Sequence, residues 1–322
     1  MVSLAELQAS NAQISSSLPA GMVAVFHTRQ PRVYLSGRTQ ESGDRITAEC
    51  KALNPEGDFV FIKADLSLLR NVDDLCRDIK SKEESINLLF LSIGSMVLHT
   101  ETSENLHSFS ALPYYARLRF IANLLPIVQK ATGLRRVVSV AGGTKEGAVD
   151  ATDFPARTVS LLALRPHLAS IITLSLEAMA KSAPDVSFIH EFPGPVKSNL
   201  GKDASGFLPF AMRAFFAVVG PFVFIPEEEL GHRHLHILTS AKYPGSTGEE
   251  ATAGVPLPDG NSVARGTNGV NGSGVYSIDW DGESANPKVE LVLANHREAG
   301  MTTKLMAHTE EEFKRITGVE KI

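Results

Sequence analysis

The sequence is poor in cysteine, in tryptophan and in clustered charge, and each shortage narrows the range of functions. The formal net charge is -5 and the Lys and Arg residues are scattered, so the chain offers no basic surface for nucleic acid. Its two cysteines, Cys50 and Cys76, fall on the apolar stripes of predicted helices, which predicts buried, reduced thiols. These features indicate a soluble protein of a reducing compartment that binds no nucleic acid.

Segments typical of secretion or membrane insertion are also missing. Residues 1–21 contain no basic stretch followed by an apolar core, so they predict a short amphipathic helix rather than a signal peptide. The most apolar segment, residues 206–225, holds six of the sixteen phenylalanines but is interrupted by Pro209, Arg213 and Pro221. Such interruptions favour a buried or ligand-covering segment over a spanning helix. We therefore predict a cytoplasmic protein with no spanning membrane segment.

A connection is missing near the start of the chain. The strand-like residues 22–26 and 32–35 are separated by only five residues, 27–31. Two parallel neighbouring strands need a crossover of about a dozen residues, usually a helix, so this link allows only a hairpin or a bend. A dinucleotide site is normally built at such a crossover, where a glycine-rich turn and a helix N-terminus receive the pyrophosphate. The sequence therefore predicts that the first strand-helix-strand crossover, and with it the usual diphosphate site, is missing.

Beyond this link the chain alternates between apolar strand patterns and amphipathic helix patterns. The predicted strands are 59–62, 86–91, 136–140 and 186–190, and the predicted helices are 40–53, 71–82, 112–130 and 160–181. Such repeated units predict an α/β fold with a doubly wound, mostly parallel sheet. Composition divides the chain into an N-terminal helix (1–21), this domain (22–243), a Gly/Pro-rich loop (244–274) and a small C-terminal extension (275–322), with a strand at 275–280 and a helix at 310–317.

Four blocks of this domain carry a resemblance. They read INLLFLSIG at residues 86–94, FIANLLP at 120–126, RVVSV at 136–140 and FPGPVKS at 192–198. In order and spacing these blocks resemble the short-chain dehydrogenase/reductase family over residues 22–243, and they look most like its divergent members from fungal secondary-metabolite pathways. The resemblance implies a Rossmann-like sheet, an NAD(P) cofactor, and reduction of a carbonyl or oxidation of an alcohol.

The catalytic positions of that family do not carry over. Its glycine-rich cofactor turn has no counterpart between residues 26 and 32, and its Tyr-x-x-x-Lys pair falls on Leu162 and Pro166. No tyrosine lies between Tyr115 and Tyr243, so a shifted alignment does not restore the pair. The family's serine falls near Ala141 or Gly142, and its asparagine falls at Pro113. Because leucine and proline can neither donate a proton nor lower a neighbour's pKa, the catalytic residues are unknown and impaired hydride transfer is expected.

The outer part of the family's cofactor groove is kept. The resemblance places Arg38 where the family binds a 2′-phosphate, which implies NADP, and Asp65 where it contacts adenine. The resemblance also matches Gly94 to the glycine of the family's Asn-Asn-Ala-Gly block. It matches Pro193, Gly194 and Ser198 to the segment that holds the nicotinamide amide. From the residues alone, Arg38 is equally a solvated arginine, and Asp65 and Ser198 are equally helix N-caps. The implied cofactor is NADP, while the missing diphosphate site argues against its binding.

Two other groups of side chains could carry chemistry. His232, His234 and His236 alternate along a segment typical of a helix, on which only His232 and His236 share a face, and no metal site is predicted from them. Tyr114 and Tyr115 begin a long helix near the expected site. They are either proton donors to a ligand or, as we expect, packed core residues.

Three functions remain open. The first is a short-chain oxidoreductase whose sequence lacks a stretch through a skipped exon or a wrongly assigned splice site. The second is a cofactor-independent cyclase or isomerase that works by shape and hydrogen bonding. The third is a non-catalytic binding protein or the product of a truncated gene. The phenylalanine-rich segment indicates a small apolar metabolite as partner, and the resemblance implies a homodimer paired through helices 112–130 and 160–181.

Overall fold

The computed structural model describes residues 4–12, 30–98, 100–196, 219–220, 223–248 and 253–322. Helices and strands alternate along them, as predicted. The helices are α1 (Leu4–Ala12), α2 (Gln40–Leu53), α3 (Leu69–Lys82), α4 (Arg117–Val128), α5 (Leu161–Ala180), α6 (Glu227–Thr239), α7 (Pro287–Glu298) and α8 (Met301–Thr317). The strands are β1 (Arg32–Gly37), β2 (Asp58–Lys63), β3 (Leu88–Leu91), β4 (Arg136–Val140), β5 (Ser187–Glu191) and β6 (Val275–Ile278). A π-helical segment, Ala111–Ala116, leads into α4.

The described strands pair in parallel and form two sheets. β1 pairs with β2, and the other four pair in the order β3-β4-β5-β6. On β4, Arg136 lies opposite Leu88 of β3 and Ser187 of β5. β6 follows the Gly/Pro-rich loop and forms an outer strand of the larger sheet, with Val275 opposite Phe188. The predicted α/β fold with a parallel, Rossmann-like arrangement is confirmed.

No strand among the described residues joins the two sheets. Among the described residues, β1 pairs with β2 alone and β3 with β4 alone. Residues of β1 are exposed or half-buried along its whole length, and Phe90 of β3 is 39% exposed. The predicted first strand, residues 22–26, lies outside the described residues together with most of the link that follows it. The missing crossover therefore stays a prediction.

The main core lies between the sheet and the helices α3, α4, α5 and α8. In α3 the apolar residues recur three or four positions apart, which places Leu69, Val72, Cys76 and Ile79 on one buried stripe. α3 packs against α4, and α8 packs against α5 and α3. Both cysteines are buried and free, as predicted. Within the described ranges, α5 is the one helix long and apolar enough to cross a membrane, and it is a mostly buried core helix here.

The opposite face of the larger sheet carries α6, on which α1 packs. Arg136 is fully buried at the start of β4 and donates to the carbonyl oxygens of Ser240 at 2.9 Å and Tyr243 at 2.8 Å. Carbonyl groups at the end of a helix lack partners within the helix, so this guanidinium fixes the end of α6 to the sheet. Burial lowers the pKa of Arg136 to about 10.

The C-terminal helices differ from the prediction. The helix expected at 310–317 begins at Met301, and α7 precedes it without having been predicted. The sequence pattern of α7 is weak because only Val289 and Leu293 are buried. Its start is fixed by a local signal instead, since Asn286 accepts a hydrogen bond from the amide of Lys288 at 2.9 Å and Pro287 occupies the first turn.

Candidate functional site

The predicted cofactor residues lie at the carboxyl ends of the strands, where open α/β sheets bind their ligands. In the two-stranded sheet, Arg38 follows β1 and Asp65 comes shortly after β2. In the larger sheet, Gly94 comes after β3, and Pro193 and Gly194 come after β5. Arg38 and Asp65 are exposed, whereas Gly94 and Pro193 are half-buried. The sixth predicted residue, at position 198, lies outside the described residues.

Asp65 is held in a local turn and does not cap α3. Its Oδ1 accepts hydrogen bonds from the amide of Ser67 at 3.0 Å and from the hydroxyl of the same residue at 2.7 Å. The first amides of α3, those of Leu69 and Arg70, donate to the buried carboxylate of Glu104 at 2.6 and 3.2 Å. The negative charge of Glu104 also suits the positive end of the helix dipole. The contact of Asp65 with an adenine ring stays a prediction.

A buried arginine that the sequence analysis did not single out ties β3 to β4. Arg117 donates through Nε to the carbonyl oxygen of Ile93 at 2.9 Å, and through Nη1 to Ser139 Oγ and Val140 O, both at 2.8 Å. Burial lowers its pKa to about 9. An arginine inside an otherwise apolar helix pattern was the available signal. The guanidinium of Arg117 therefore already uses the carbonyl oxygen of Ile93, the residue before Gly94, as its hydrogen-bond acceptor.

A buried polar network lies beside these strand ends. The amide of Gly142 donates to His190 Nε2 at 3.0 Å, which leaves Nε2 without a proton and places the proton on Nδ1. His190 Nδ1 then donates to Thr173 Oγ1 at 2.7 Å, and that hydroxyl donates to Glu146 Oε1 at 2.7 Å. The network fixes the loop after β4 to β5 and α5 in one arrangement.

Glu146 receives the hydrogen bonds of this network. Ser277 on β6 donates to its Oε1 at 2.6 Å and itself accepts from the amide of Thr144 at 2.7 Å. Burial would raise the pKa of Glu146, but the imidazole of His190 and the hydroxyls of Ser277 and Thr173 outweigh burial and lower it. Its other oxygen, Oε2, is buried and has no hydrogen-bond partner within the described part of the chain. The buried carboxylate of Glu146 is thus kept ionised within the loop.

Two cations flank the ring of Phe192, which directly follows β5. Lys145 Nζ lies 4.8 Å from the ring centroid and the guanidinium carbon of Arg165 lies 4.4 Å from it. Lys145 also pairs with Asp279, at 2.7 Å between Nζ and Oδ2. Burial lowers the pKa of Arg165, and the Asp279 carboxylate opposes that shift. The side chains of Lys145 and Asp279 are about one-third exposed, 31% and 28%, so a ligand can reach them.

The family's tyrosine and lysine positions lie at the start of α5. Leu162 is 94% exposed and Pro166 is half-buried, and neither can donate a proton. The nearby tyrosines do not replace them. Tyr114 and Tyr115 are fully buried, and the hydroxyl of Tyr114 is 2.7 Å from Thr309 Oγ1 on α8. The expectation that both are packed core residues is confirmed.

The histidines of α6 have separate partners. His234 Nε2 lies 3.2 Å from an oxygen of the buried Glu191, and His236 Nδ1 lies 3.3 Å from Ser10 Oγ of α1. Within the residues described, no group of three or more His, Cys, Asp or Glu side chains is arranged to hold a metal ion.

The described residues fit a dinucleotide in part. Gly194 has φ of +78°, and a Cβ there would lie 2.6 Å from Ile225 Cδ1 and 3.0 Å from Trp280 Cβ, so this turn requires glycine. Arg38 is exposed after β1, and its contact with the 2′-phosphate of NADP stays a prediction. The groups that hold a diphosphate and donate a proton are not found among the described residues, and no step of hydride transfer can be assigned to them.

Comparisons with known proteins agree with this fold. In a solved structure, the Pseudomonas aeruginosa RhlG/NADP active-site complex, the matching chain is similar with a TM-score of 0.50 and 15% identity, over 80% of this chain and 91% of that one. At this identity the similarity concerns the fold alone. No protein-family model matches the sequence. A parallel α/β sheet of this kind, whose ligands bind at the carboxyl ends of the strands, defines the class of Rossmann-like folds.

Fungal relatives narrow the class. The chain is 36% identical to "Oxidoreductase AN1596" of Emericella nidulans, over 96% of this chain and 97% of that protein. It is 27% identical to "Short-chain dehydrogenase/reductase SAT2" of Stachybotrys chartarum, over 92% of this chain and 87% of that protein. The chain belongs to the family of fungal oxidoreductases that includes the Emericella nidulans protein.

Proposed function

We propose that this protein serves a fungal secondary-metabolite pathway in the cytoplasm, that its ligand is a small apolar carbonyl compound or alcohol, and that its NADP-dependent hydride transfer is impaired or absent. One observation carries this proposal: the family's proton-donating pair falls on the exposed Leu162 and the half-buried Pro166. The fungal oxidoreductases among its relatives support the pathway. The phenylalanine-rich residues 206–225 support an apolar ligand.

The expected loss is large. A positioned general acid contributes roughly 10²- to 10⁴-fold to the rate of such a step. Leucine and proline supply none of this. Any remaining carbonyl reduction would depend on positioning alone.

A titration with NADPH, followed by cofactor fluorescence, tests the proposal. We expect no saturable binding in the micromolar range and no NADPH oxidation with a panel of apolar ketones and aldehydes. Tight binding together with turnover of any of these carbonyls would refute the proposal.

If NADPH does bind, Arg38→Gln should weaken the binding of NADPH and leave the binding of NADH unchanged, because only NADPH carries the 2′-phosphate. Arg45→Gln is the matched control, since Arg45 is an exposed arginine on α2 that pairs with Glu49.

We infer that a lost stretch of chain removed the diphosphate site; its return would not restore the proton donor, because Leu162 and Pro166 lie elsewhere in the sequence. The alignment with the Emericella nidulans relative covers 334 positions, more than the 322 residues of this chain, so the relative has residues without a counterpart here. We place the loss between residues 26 and 32, where the sequence lacks a crossover. Translating the surrounding gene should reveal a glycine-rich turn and a helix in frame. If no such coding segment exists, the lost-exon explanation fails.

A cofactor-independent cyclase or isomerase is the second candidate. The observation that favours it is the pair of cations around Phe192, with Asp279 beside them. Such groups can orient or polarise a carbonyl without a nucleotide. Conversion of an apolar carbonyl compound in the absence of nucleotide, reduced at least tenfold by Lys145→Met and unchanged by Lys63→Met, is the expected result. Lys63 is exposed at the end of β2. If the purified protein converts none of these compounds, a non-catalytic binding protein is the remaining hypothesis.

A further inference from the structure

The chain's own C-terminal helices cover the helices through which the family resemblance predicts subunit pairing. α8 packs against α5 and α3, and α7 packs against α5 and α8. Leu293 on α7 and Leu305 on α8 are fully buried, in the same core as residues of α4 and α5. A second subunit approaching α4 and α5 from this side would therefore meet α7 and α8 first.

The end of α8 is bonded to α4 through a fully buried arginine. Arg119 donates to Thr317 Oγ1 at 2.9 Å and to the carbonyl oxygen of Val319 at 3.1 Å, and its guanidinium carbon lies 5.0 Å from the ring centroid of Phe313. Asp73 of α3 accepts two further hydrogen bonds from it, at 2.6 and 2.7 Å. A buried cation must keep its acceptors. The C-terminal residues therefore supply hydrogen-bond acceptors that the buried guanidinium needs, while Asp73 balances its charge.

The last residue is fixed as well. The amide of Ile322 donates to Asn123 Oδ1 on α4 at 3.0 Å, and Lys80 on α3 donates to the Ile322 oxygen at 2.8 Å. Asn123 also donates to Asp73 at 2.8 Å, so the chain end joins the same polar network as Arg119. The apolar faces of α7 and α8 are thus buried in the core, and the residues at and after the end of α8 are bonded to α3 and α4.

The same helices contact the loop that carries the candidate site. This site loop, residues 141–160, connects β4 to α5 and includes Lys145 and Glu146. His296 on α7 donates through Nε2 to the carbonyl oxygen of Gly147 at 2.8 Å. His308 on α8 lies 2.7 Å from the Tyr115 hydroxyl, and its ring contacts that of Phe154 at a tilt of 44° with centroids 5.4 Å apart. Each helix thus supports the loop through one imidazole.

We propose that α7 and α8 take the place of a partner subunit. The protein is a monomer whose own C-terminal helix pair closes the α4–α5 face and supports the site loop. A homodimer through α4 and α5 would need this pair to leave, which would expose apolar core and strip Arg119 of acceptors. The proposal does not depend on whether the site binds a nucleotide.

Light scattering coupled to size exclusion tests the oligomeric state of the full chain. The expected mass is that of one chain, 34.7 kDa, throughout the micromolar range. Twice that mass would overturn the proposal.

A charge placed on the buried face of α8 tests whether this helix closes the α4–α5 face. Leu305→Asp should release α8 and give species larger than a monomer, with increased binding of an apolar dye. Ala307→Asp adds the same charge at an exposed position of the same helix and should behave as the unmodified chain. If Leu305→Asp keeps its circular dichroism and stays monomeric without binding more dye, the α4–α5 face needs no cover and the proposal fails.

A milder variant tests the support of the site loop without disturbing the core. His308→Ala should raise the amide hydrogen exchange of residues 147–156 severalfold, because it removes the contacts with Tyr115 and Phe154. Lys304→Ala, at an exposed position of α8, is the control and should leave that exchange unchanged. Unchanged exchange in His308→Ala would show that α8 does not support the loop.

Discussion

The helix-covered face and the carboxyl edge of the sheet hold their side chains in different ways. On the covered face, the buried charges meet: Asp73 accepts from Arg119 and Asn123, and the chain end completes the set. At the carboxyl edge, the position that the resemblance aligns with the family's tyrosine holds Leu162, which is 94% exposed. The polar groups of the covered face thus have partners inside the fold, whereas this side chain faces solvent.

The two regions are under different physical constraints. Residues of the covered face cannot change singly, because a lost partner leaves a buried charge or a cavity. A residue such as Leu162, which faces solvent, contributes little to stability and can change without cost to the fold. Fold therefore identifies the ancestry of this chain, while its chemistry has to be argued from the site.

The strongest test of this contrast is Arg119→Met. The substitution leaves the buried Asp73 with only the more distant Arg77, 4.0 Å away, as a cation, and removing one partner of a buried ion pair costs about 3–5 kcal/mol. We expect the free energy of unfolding, from urea titration, to fall by this amount. The control is Arg45→Met, which removes an exposed ion pair on α2 and should cost about 1 kcal/mol or less. Equal effects of the two variants would show that the network around Arg119 does not stabilise the fold.

The substitution Glu146→Gln tests the buried polar network of the site loop. This network lies between the helix-covered face and the carboxyl edge. The amide can still accept from Ser277 and Thr173, but it loses the charge and brings buried N–H groups where Oε2 has no partner. Weakening charge-assisted bonds and burying an unsatisfied donor costs about 1–3 kcal/mol. We expect a loss of that size near neutral pH, compared with little change in Glu41→Gln, whose carboxylate is exposed on α2.

The pH dependence of this variant follows from the lowered pKa of Glu146. A carboxyl group whose pKa is lower in the folded state stabilises the fold above its ordinary value of 4.5, and that contribution is lost as the pH falls through the folded value. Glutamine does not titrate. The difference in unfolding free energy between the two proteins should therefore shrink below pH 4.5. A difference that is constant with pH would mean that folding leaves the pKa of Glu146 unchanged, and a difference that grows below pH 4.5 would mean that folding raises it.

Local pattern predicted much of the fold and little of the site. Helix 40–53 and strand 136–140 agree with α2 and β4 in both bounds, because their apolar spacing is a property of the segment itself. The roles of Arg117, Glu104 and Glu146 depend on groups that only the fold brings near. Ser277 is 131 residues from Glu146, and no periodicity reports such a pairing. α7 was missed because its apolar pattern is weak, since only Val289 and Leu293 of this helix are buried.

The smallest expected effect is that of restoring the family's tyrosine and lysine. Leu162→Tyr combined with Pro166→Lys changes an exposed residue and a half-buried one, so we expect the unfolding free energy to shift by about 0.5 kcal/mol or less at position 162. We also expect no NADPH oxidation, because the glycine-rich turn is still missing from the sequence. The measurement is NADPH absorbance with the carbonyl panel, beside the unmodified chain. Turnover in the double variant alone would show that the carboxyl edge still binds the cofactor, and that the loss of chemistry lies in these two side chains.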